Sequence, residues 1–303
     1  MPQRPYKAKP AARRSIKVKP RSVAVVGTGL IGATIGLASR AAGFDVAGWD
    51  TDKRALRTAR RVGALDRIAA SLDGAVATAS IVILAAPLDQ VLKQMPDVFA
   101  RAQRGALIID VAGVKEPVVK RGAALSRLRR DLRFVAGHPI AGSEQSGPAA
   151  ADAKLLQGRA FAIHAVPQNA RRQAYMAAAR FVRKLGAIPI RIDPRDHDRA
   201  IAALSALPQL TSIALALASH ESGAETGHRL AGPGYRDTTR LAASRFAMWK
   251  PALSANSKHV LIAIRALGKW VNTIEGMLRR RDWPALEEMF GEAARARRRV
   301  NPR

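Results

Sequence analysis

Three glycines, an acid and a histidine stand at spacings that chemistry can use in this 303-residue chain. Gly27, Gly29 and Gly32 form a GxGxxG string directly after the run Val23–Val26, and Asp50 follows Gly32 by eighteen residues. The first glycine permits a tight turn, the second lets backbone approach a pyrophosphate, and the third lets the next helix pack closely on the strand. Unpaired N–H groups at that helix start, around Leu30 and Ile31, then face the phosphates. A carboxylate at Asp50 suits ribose hydroxyls and repels a 2′-phosphate, so the pattern predicts NAD, with NADP as the alternative because Lys53 and Arg54 follow closely. His138 lies in the string GHPIAGSEQSGP, where we expect a loop just after a strand. An imidazole with an ordinary pKa of about 6.5 can take a proton from an alcohol whose carbon gives up hydride.

Short β-branched runs that alternate with Ala/Arg-rich helical stretches must position these groups, and they imply βαβ units. Strands are expected at Val23–Val26, Val46–Trp49, Ile81–Ala85, Leu107–Val111, Phe134–Ala136, Phe161–Ala165 and Ile188–Ile192. The fold class predicted is α/β, a Rossmann-type mostly parallel sheet followed by an all-helical C-terminal domain. Ligands sit beyond the carboxyl ends of strands in such sheets, which puts Pro87, after the third run, among the cofactor contacts. Residues 1–20 are expected to form a disordered basic arm and 21–194 a dinucleotide-binding domain. Residues 195–303 should then be a helical substrate and dimerisation domain with an Arg-rich tail. Within it Val260, Ile264, Leu267, Val271, Ile274 and Leu278 recur at spacings of four and three. That stripe requires a partner, either the domain's own core or a second subunit, and a homodimer is expected.

Composition narrows the function classes. Cysteine is absent, which excludes disulfides, thiolate metal sites and a cysteine nucleophile; no metal site is expected. The formal charge is +28, of which eleven units fall in residues 1–19 and 291–303. No RNA-binding fingerprint, zinc-knuckle spacing or helix-turn-helix signature accompanies it, and aromatics are 5%, so no specific nucleic-acid partner is expected. The apolar runs look too short and interrupted for the roughly 18–20 residues of a membrane span. A soluble, cytoplasmic protein is expected, since neither a signal peptide nor a presequence is recognisable in the proline-rich start.

Several strings occur together and in order: GTGLIGATIG, DVAGVK at 110–115, GHPIAGSEQSGP at 137–148, DHDRAIAALSALPQ at 196–209, GYRDTTRLAAS at 234–244 and Met248-Trp249. In these the chain resembles the prephenate and arogenate dehydrogenases of tyrosine biosynthesis, from about Ser22 to Leu278. The resemblance implies oxidative decarboxylation of a small dicarboxylate, with His138 accepting the proton of the ring hydroxyl. It implies Arg240, with Arg236 one helical turn earlier and Ser143 in the histidine string, as substrate contacts; guanidinium matches carboxylate in charge and geometry. Lys115, closing DVAGVK, would contact cofactor or substrate, or else be a solvated lysine. Two departures stand inside the expected site. Gly113 replaces a usual serine that should bond the catalytic imidazole, and Ala206 replaces a usual histidine. Weakened or lost activity in a cofactor-binding protein therefore stays open, as does a related β-hydroxyacid-type dehydrogenase. His197, in an HD pair, and the later His220 and His228 are candidates to substitute for the missing histidine, though each is expected to be structural or exposed.

Overall fold

The computed structural model describes residues 22–141, 145–165, 171–222, 227 and 229–300. Its first half is one eight-stranded sheet built from β1 (Ser22–Val26), β2 (Asp45–Trp49), β3 (Arg67–Ile68), β4 (Ile81–Leu84), β5 (Leu107–Asp110), β6 (Arg133–Pro139), β7 (Ala160–Ala165) and β8 (Ile188–Arg191). Between the strands run α1 (Leu30–Ala41), α2 (Lys53–Arg61), α3 (Leu72–Val76), α4 (Leu88–Arg101), α5 (Glu116–Leu128) and α6 (Arg171–Lys184). The spatial order is β3-β2-β1-β4-β5-β6-β7-β8. The order reverses between β1 and β4, which opens a crevice at the carboxyl ends of those two strands.

Every residue of β4 and β5 is buried because helices cover both faces of the sheet. One face packs Val23, Val25, Ile35, Ile83, Ile109 and Phe181; the other packs Ala24, Val82, Leu84, Met95, Ile108 and Phe134. Each fully buried Val, Leu or Ile contributes roughly 1.5–3 kcal/mol, so the central strands anchor whatever their ends carry.

Two features depart from the expected strands. β3, only two exposed residues long, had no apolar run to announce it. β6 extends to Pro139 because β7 pairs with it antiparallel, His138 opposite Ala162, well after its parallel pairing with β5 stops at Val135. His138 therefore sits in a strand held by a second ladder and not in the loop expected for it.

The second half is helical: α7 (Pro194–Ile201), a π-helical turn at Ala202–Ala206, α8 (Leu207–Glu221), α9 (Pro233–Thr239), α10 (Phe246–Ala255), α11 (Ser257–Arg280) and α12 (Trp283–Val300). Arg295, Arg297, Arg298 and Arg299 belong to α12, so the expected Arg-rich tail is largely the end of a helix. The apolar stripe does lie on one helix, α11. Val260 is buried, but Val271, Ile274 and Leu278 are 55%, 38% and 50% exposed, so within one chain the stripe is no core.

One composition-based expectation is overturned here. The continuous helical run Pro194–Glu221 is 28 residues long with a window of mean hydropathy 1.7, long and apolar enough by length and composition to cross a membrane. Ser205, Pro208, Gln209, Thr211 and Ser212 interrupt it, but the surrounding Ala, Ile and Leu keep the mean high. The basic arm and Ser143 lie outside the described residues, as does His228.

Candidate active site

The nucleotide end of the site is made by the turn between β1 and α1. Gly27 has φ of +95°, and a Cβ there would approach the backbone of Ala85 to 2.6 Å, so only glycine fits. A Cβ on Gly32 would run into the carbonyl oxygen of Gly27, which is the close helix–strand approach the motif requires. A Cβ on Gly29 would meet nothing within 4 Å, leaving room for a ligand at the α1 N-terminus. That terminus has no side-chain cap and no acid in its first turn, so its N–H groups are available to an anion.

Asp50 stands at the end of β2. Its Oδ2 accepts hydrogen bonds from the Thr28 N–H at 2.6 Å and the Thr28 hydroxyl at 3.0 Å, and Oδ1 accepts from the Asp52 N–H at 2.8 Å. The carboxylate thus ties the glycine turn to β2, and it retains lone-pair capacity for a further donor. Lys53 lies beside it, its ammonium donating to the Asp50 carbonyl at 3.2 Å. A cleft of about 300 Å³ is lined by Gly27, Gly29, Trp49, Asp50, Ala86, Pro87, Gln90 and Gln94 among others. Pro87 is the N-cap of α4 at the β4 end, as its expected place beyond that strand requires.

Further along the same carboxyl edge lies the histidine. Its Nδ1 is 3.0 Å from Nε2 of His197, and Nδ1 of His197 is 2.7 Å from Oδ1 of Asp198. The Asp198 carboxylate also accepts the backbone N–H of Lys115 at 2.7 Å and of Glu116 at 2.8 Å, capping α5 from another helix. The Asn256 side chain, at the α11 start, donates to the Asp198 carbonyl at 2.7 Å. On the opposite side of the imidazole is Gly113, where a Cβ would lie 3.7 Å from Nε2 of His138. A serine at 113 would accordingly meet the Nε2 side, while the Nδ1 side keeps its partner in His197.

Lys115 is not the solvated lysine that one of its two expectations gave. It is 2% exposed, and its ammonium donates to the Asp110 carboxylate and, at 2.6 Å, to the Gly137 carbonyl beneath His138. Burial pushes the Asp110 carboxyl up and the Lys115 ammonium down, while their attraction opposes both shifts. Removing one partner from such a pair typically costs about 3–5 kcal/mol, so Lys115 helps to fix the 110–115 loop. Burial, then the Lys115 charge, then His197 hold the His138 imidazole well below its ordinary value, leaving it neutral and able to accept a proton.

Arg236 on α9 and Arg240, which follows it, are exposed on the helical half. Nothing described here joins them to His138. The segment after Arg240 is held by the buried Gln209 amide, which donates to the Leu241 carbonyl at 2.8 Å. Ala206 ends the π-helical turn and packs with Ala202 and Val260 in a small apolar cluster. His197, named in the sequence with its neighbour Asp198, is brought against His138, whereas Asp110, paired with Lys115 beneath it, was not singled out there.

A parallel-sheet nucleotide crevice with a neutral buried-edge histidine farther along it, followed by a helical half, defines the class of two-domain dehydrogenases. Residues 35–190 match the family described as "Prephenate dehydrogenase, nucleotide-binding domain", and 193–292 match "Prephenate dehydrogenase, dimerization domain". The chain belongs to the prephenate dehydrogenase family. It is 36% identical over 256 residues to "Probable prephenate dehydrogenase NovF" of Streptomyces niveus, covering 82% of this chain and 66% of that protein. To the prephenate dehydrogenase of Bacillus subtilis it is 30% identical over 259 residues, covering 84% and 68%. The chain thus spans about two thirds of the length of these relatives. A crystal structure of A. aeolicus prephenate dehydrogenase in complex with hydroxyphenyl propionate and NAD+ has the same fold, with a TM-score of 0.80 at 22% identity, covering 94% of this chain and all of that one.

Proposed function

We propose that this protein carries out NAD-dependent oxidative decarboxylation of prephenate, arogenate or both. The observation that carries the reading is His138, an imidazole held neutral whose Nε2 lies toward Gly113, farther along the sheet's carboxyl edge from the nucleotide crevice. The α1 N-terminus and glycine turn would hold the pyrophosphate, and the Asp50 carboxylate a ribose hydroxyl, which favours NAD over NADP. Bound nicotinamide supplies the hydride acceptor. His138 accepts the proton of the ring hydroxyl at Nε2 as the carbon bearing it is oxidised. Arg240, with Arg236 beside it, grips a substrate carboxylate; Ser143 is assigned to the same pocket. Loss of carbon dioxide draws on aromatisation of the ring, so the protein's tasks are orientation, clamping and proton acceptance.

The exposed half of the α11 stripe supports a homodimer through the helical half, the second subunit covering it. The run Pro194–Glu221 fits the same reading better than a bilayer, because the buried polar side chains of Gln209 and Ser212 face protein within it. A cytoplasmic location accords with such a biosynthetic activity, and we assign no nucleic-acid partner.

The test is a four-way assay of prephenate and arogenate against NAD and NADP, following reduced nicotinamide. Turnover is expected with NAD, lowered at least about a hundredfold in His138→Asn and with a raised substrate KM in Arg240→Ala. Gly113 and Ala206 favour a second reading, a cofactor-binding protein without turnover. Tight NADH binding with none of the four combinations active selects that one.

A further inference from the structure

His197 and Asp198 are buried, polar and aligned behind the proposed base, yet proton acceptance at His138 as described does not use them. We propose that His197, backed by Asp198, is a positioning residue for the reaction: it holds His138 in the tautomer whose Nε2 lone pair faces the substrate. The proposal rests on the dehydrogenase reading for its kinetic part and on geometry alone for its structural part.

With both imidazoles uncharged, hydrogen-bond roles along the chain admit one assignment. The Asp198 carboxylate accepts two backbone N–H groups from the α5 N-terminus, so against its Oδ1 the His197 Nδ1 must donate. An uncharged His197 then offers only a lone pair at Nε2. The His138 Nδ1, 3.0 Å away, must carry the hydrogen and donate it. That leaves the lone pair of His138 on Nε2, the nitrogen facing Gly113. In free imidazole the two tautomers compete; here the wrong one would set two lone pairs against each other in a buried contact, at a cost of about 1–3 kcal/mol.

The proton ledger balances without any further group. Nε2 takes the proton of the substrate hydroxyl, the O–H bond breaks as the C=O forms, and the imidazolium keeps its Nδ1–H bonded to His197. That bond strengthens when its donor is charged, and the Asp198 carboxylate lies one ring farther on to offset the charge. The remaining charged neighbours act differently. Lys115 is paired with Asp110 under Gly137, and His259 stands 3.5 Å from Glu116 at the α5 start. The carboxylate in line with the imidazole is Asp198, fixed by the same loop that carries Gly113. This accounts for how the chain dispenses with a serine at 113: the lock on the imidazole is on the Nδ1 side.

The experiment uses the full chain labelled with nitrogen-15 histidine, read by long-range proton–nitrogen correlation, with the His138 signals assigned from their loss in His138→Asn. Near neutral pH the wild type should show a protonated Nδ1 and a pyridine-like Nε2 at His138. In His197→Ala that signal should become a tautomer mixture, and kcat should fall at least about tenfold while KM for NAD changes less than about twofold. In His197→Gln, whose side-chain carbonyl can accept from Nδ1–H, part of the lost kcat should return. NADH fluorescence titration reports folding of each variant; if His197→Ala does not fold, His197→Gln and the wild-type spectrum decide. A wild-type His138 protonated on Nε2, or wild-type kcat in the folded His197→Ala protein, overturns the proposal. Absence of turnover with every substrate would sink the dehydrogenase reading, whereas the spectrum would still judge the tautomer.

Discussion

At the scale of single residues, His138 shows how burial keeps an imidazole unprotonated. Burial, the Lys115 charge and His197 all disfavour its protonated form in the folded protein. The sign of the pH effect follows. Between an unfolded pKa of about 6.5 and the lower folded value, the unfolded chain binds a proton that the native one refuses. Stability from this group is complete above pH ~6.5 and is lost as the pH falls toward the folded value. Urea unfolding midpoints of the wild type should therefore drop below that pH more steeply than those of His138→Asn, with matching, flat behaviour above it for this group. An equal slope in both proteins below pH ~6.5 would refute the depressed pKa. The residue itself was legible in the sequence, since a histidine in a Gly/Pro/Ser string invites attention. His197 could be named from its HD pair, but not its contact with His138, because that contact joins positions 59 apart and only packing brings them together.

At the scale of elements, the turn from β1 into α1 decides cofactor binding. Gly32 sits where α1 touches the Gly27 carbonyl, so a methyl group there must push the helix N-terminus away from the strand. Gly32→Ala should weaken NADH binding more than about tenfold and lower stability by roughly 1–3 kcal/mol, the usual cost of overpacking. Fluorescence titration and thermal melting check both, and unchanged affinity would mean the pyrophosphate does not sit on this turn. The whole unit was readable because its parts are local: strand, glycines, helix and acid fall within one short segment. β6 was harder. Its first residues read as a strand, but the extension through His138 exists because β7 runs antiparallel beside it, and no alternation in the residues themselves signals that pairing.

At the scale of the whole molecule, the helical half leaves apolar surface that one chain does not cover. Leu261, Ile262, Trp270 and Val271 on α11 are each at least half exposed, and Trp283 and Phe290 on α12 are 57% and 72% exposed. Exposed apolar side chains of this size are what the proposed second subunit would cover. The wild type should sediment as a dimer, and Val271→Glu combined with Ile274→Glu should give a folded species of half the mass. A wild type that sediments as a monomer at micromolar concentration would contradict the homodimer. The exposed positions of Arg236 and Arg240 belong to the same scale, on the helical half that the proposed dimer would join.

What the sequence determined by itself was whatever depends on neighbours along the chain: the βαβ alternation, the glycine turn with its acid, the helical second half, and the strings that mark the family. What the tertiary structure alone decided were contacts between distant segments. His197 and Asp198 reach His138 from another helix, Lys115 turns inward to Asp110 and Gly137, and the α11 stripe faces outward. The physical reason is that secondary structure and turn chemistry are set within a few residues by backbone sterics and periodicity. The partner of a polar side chain is instead set by which surfaces bury each other, and that is known only once the chain has closed on itself.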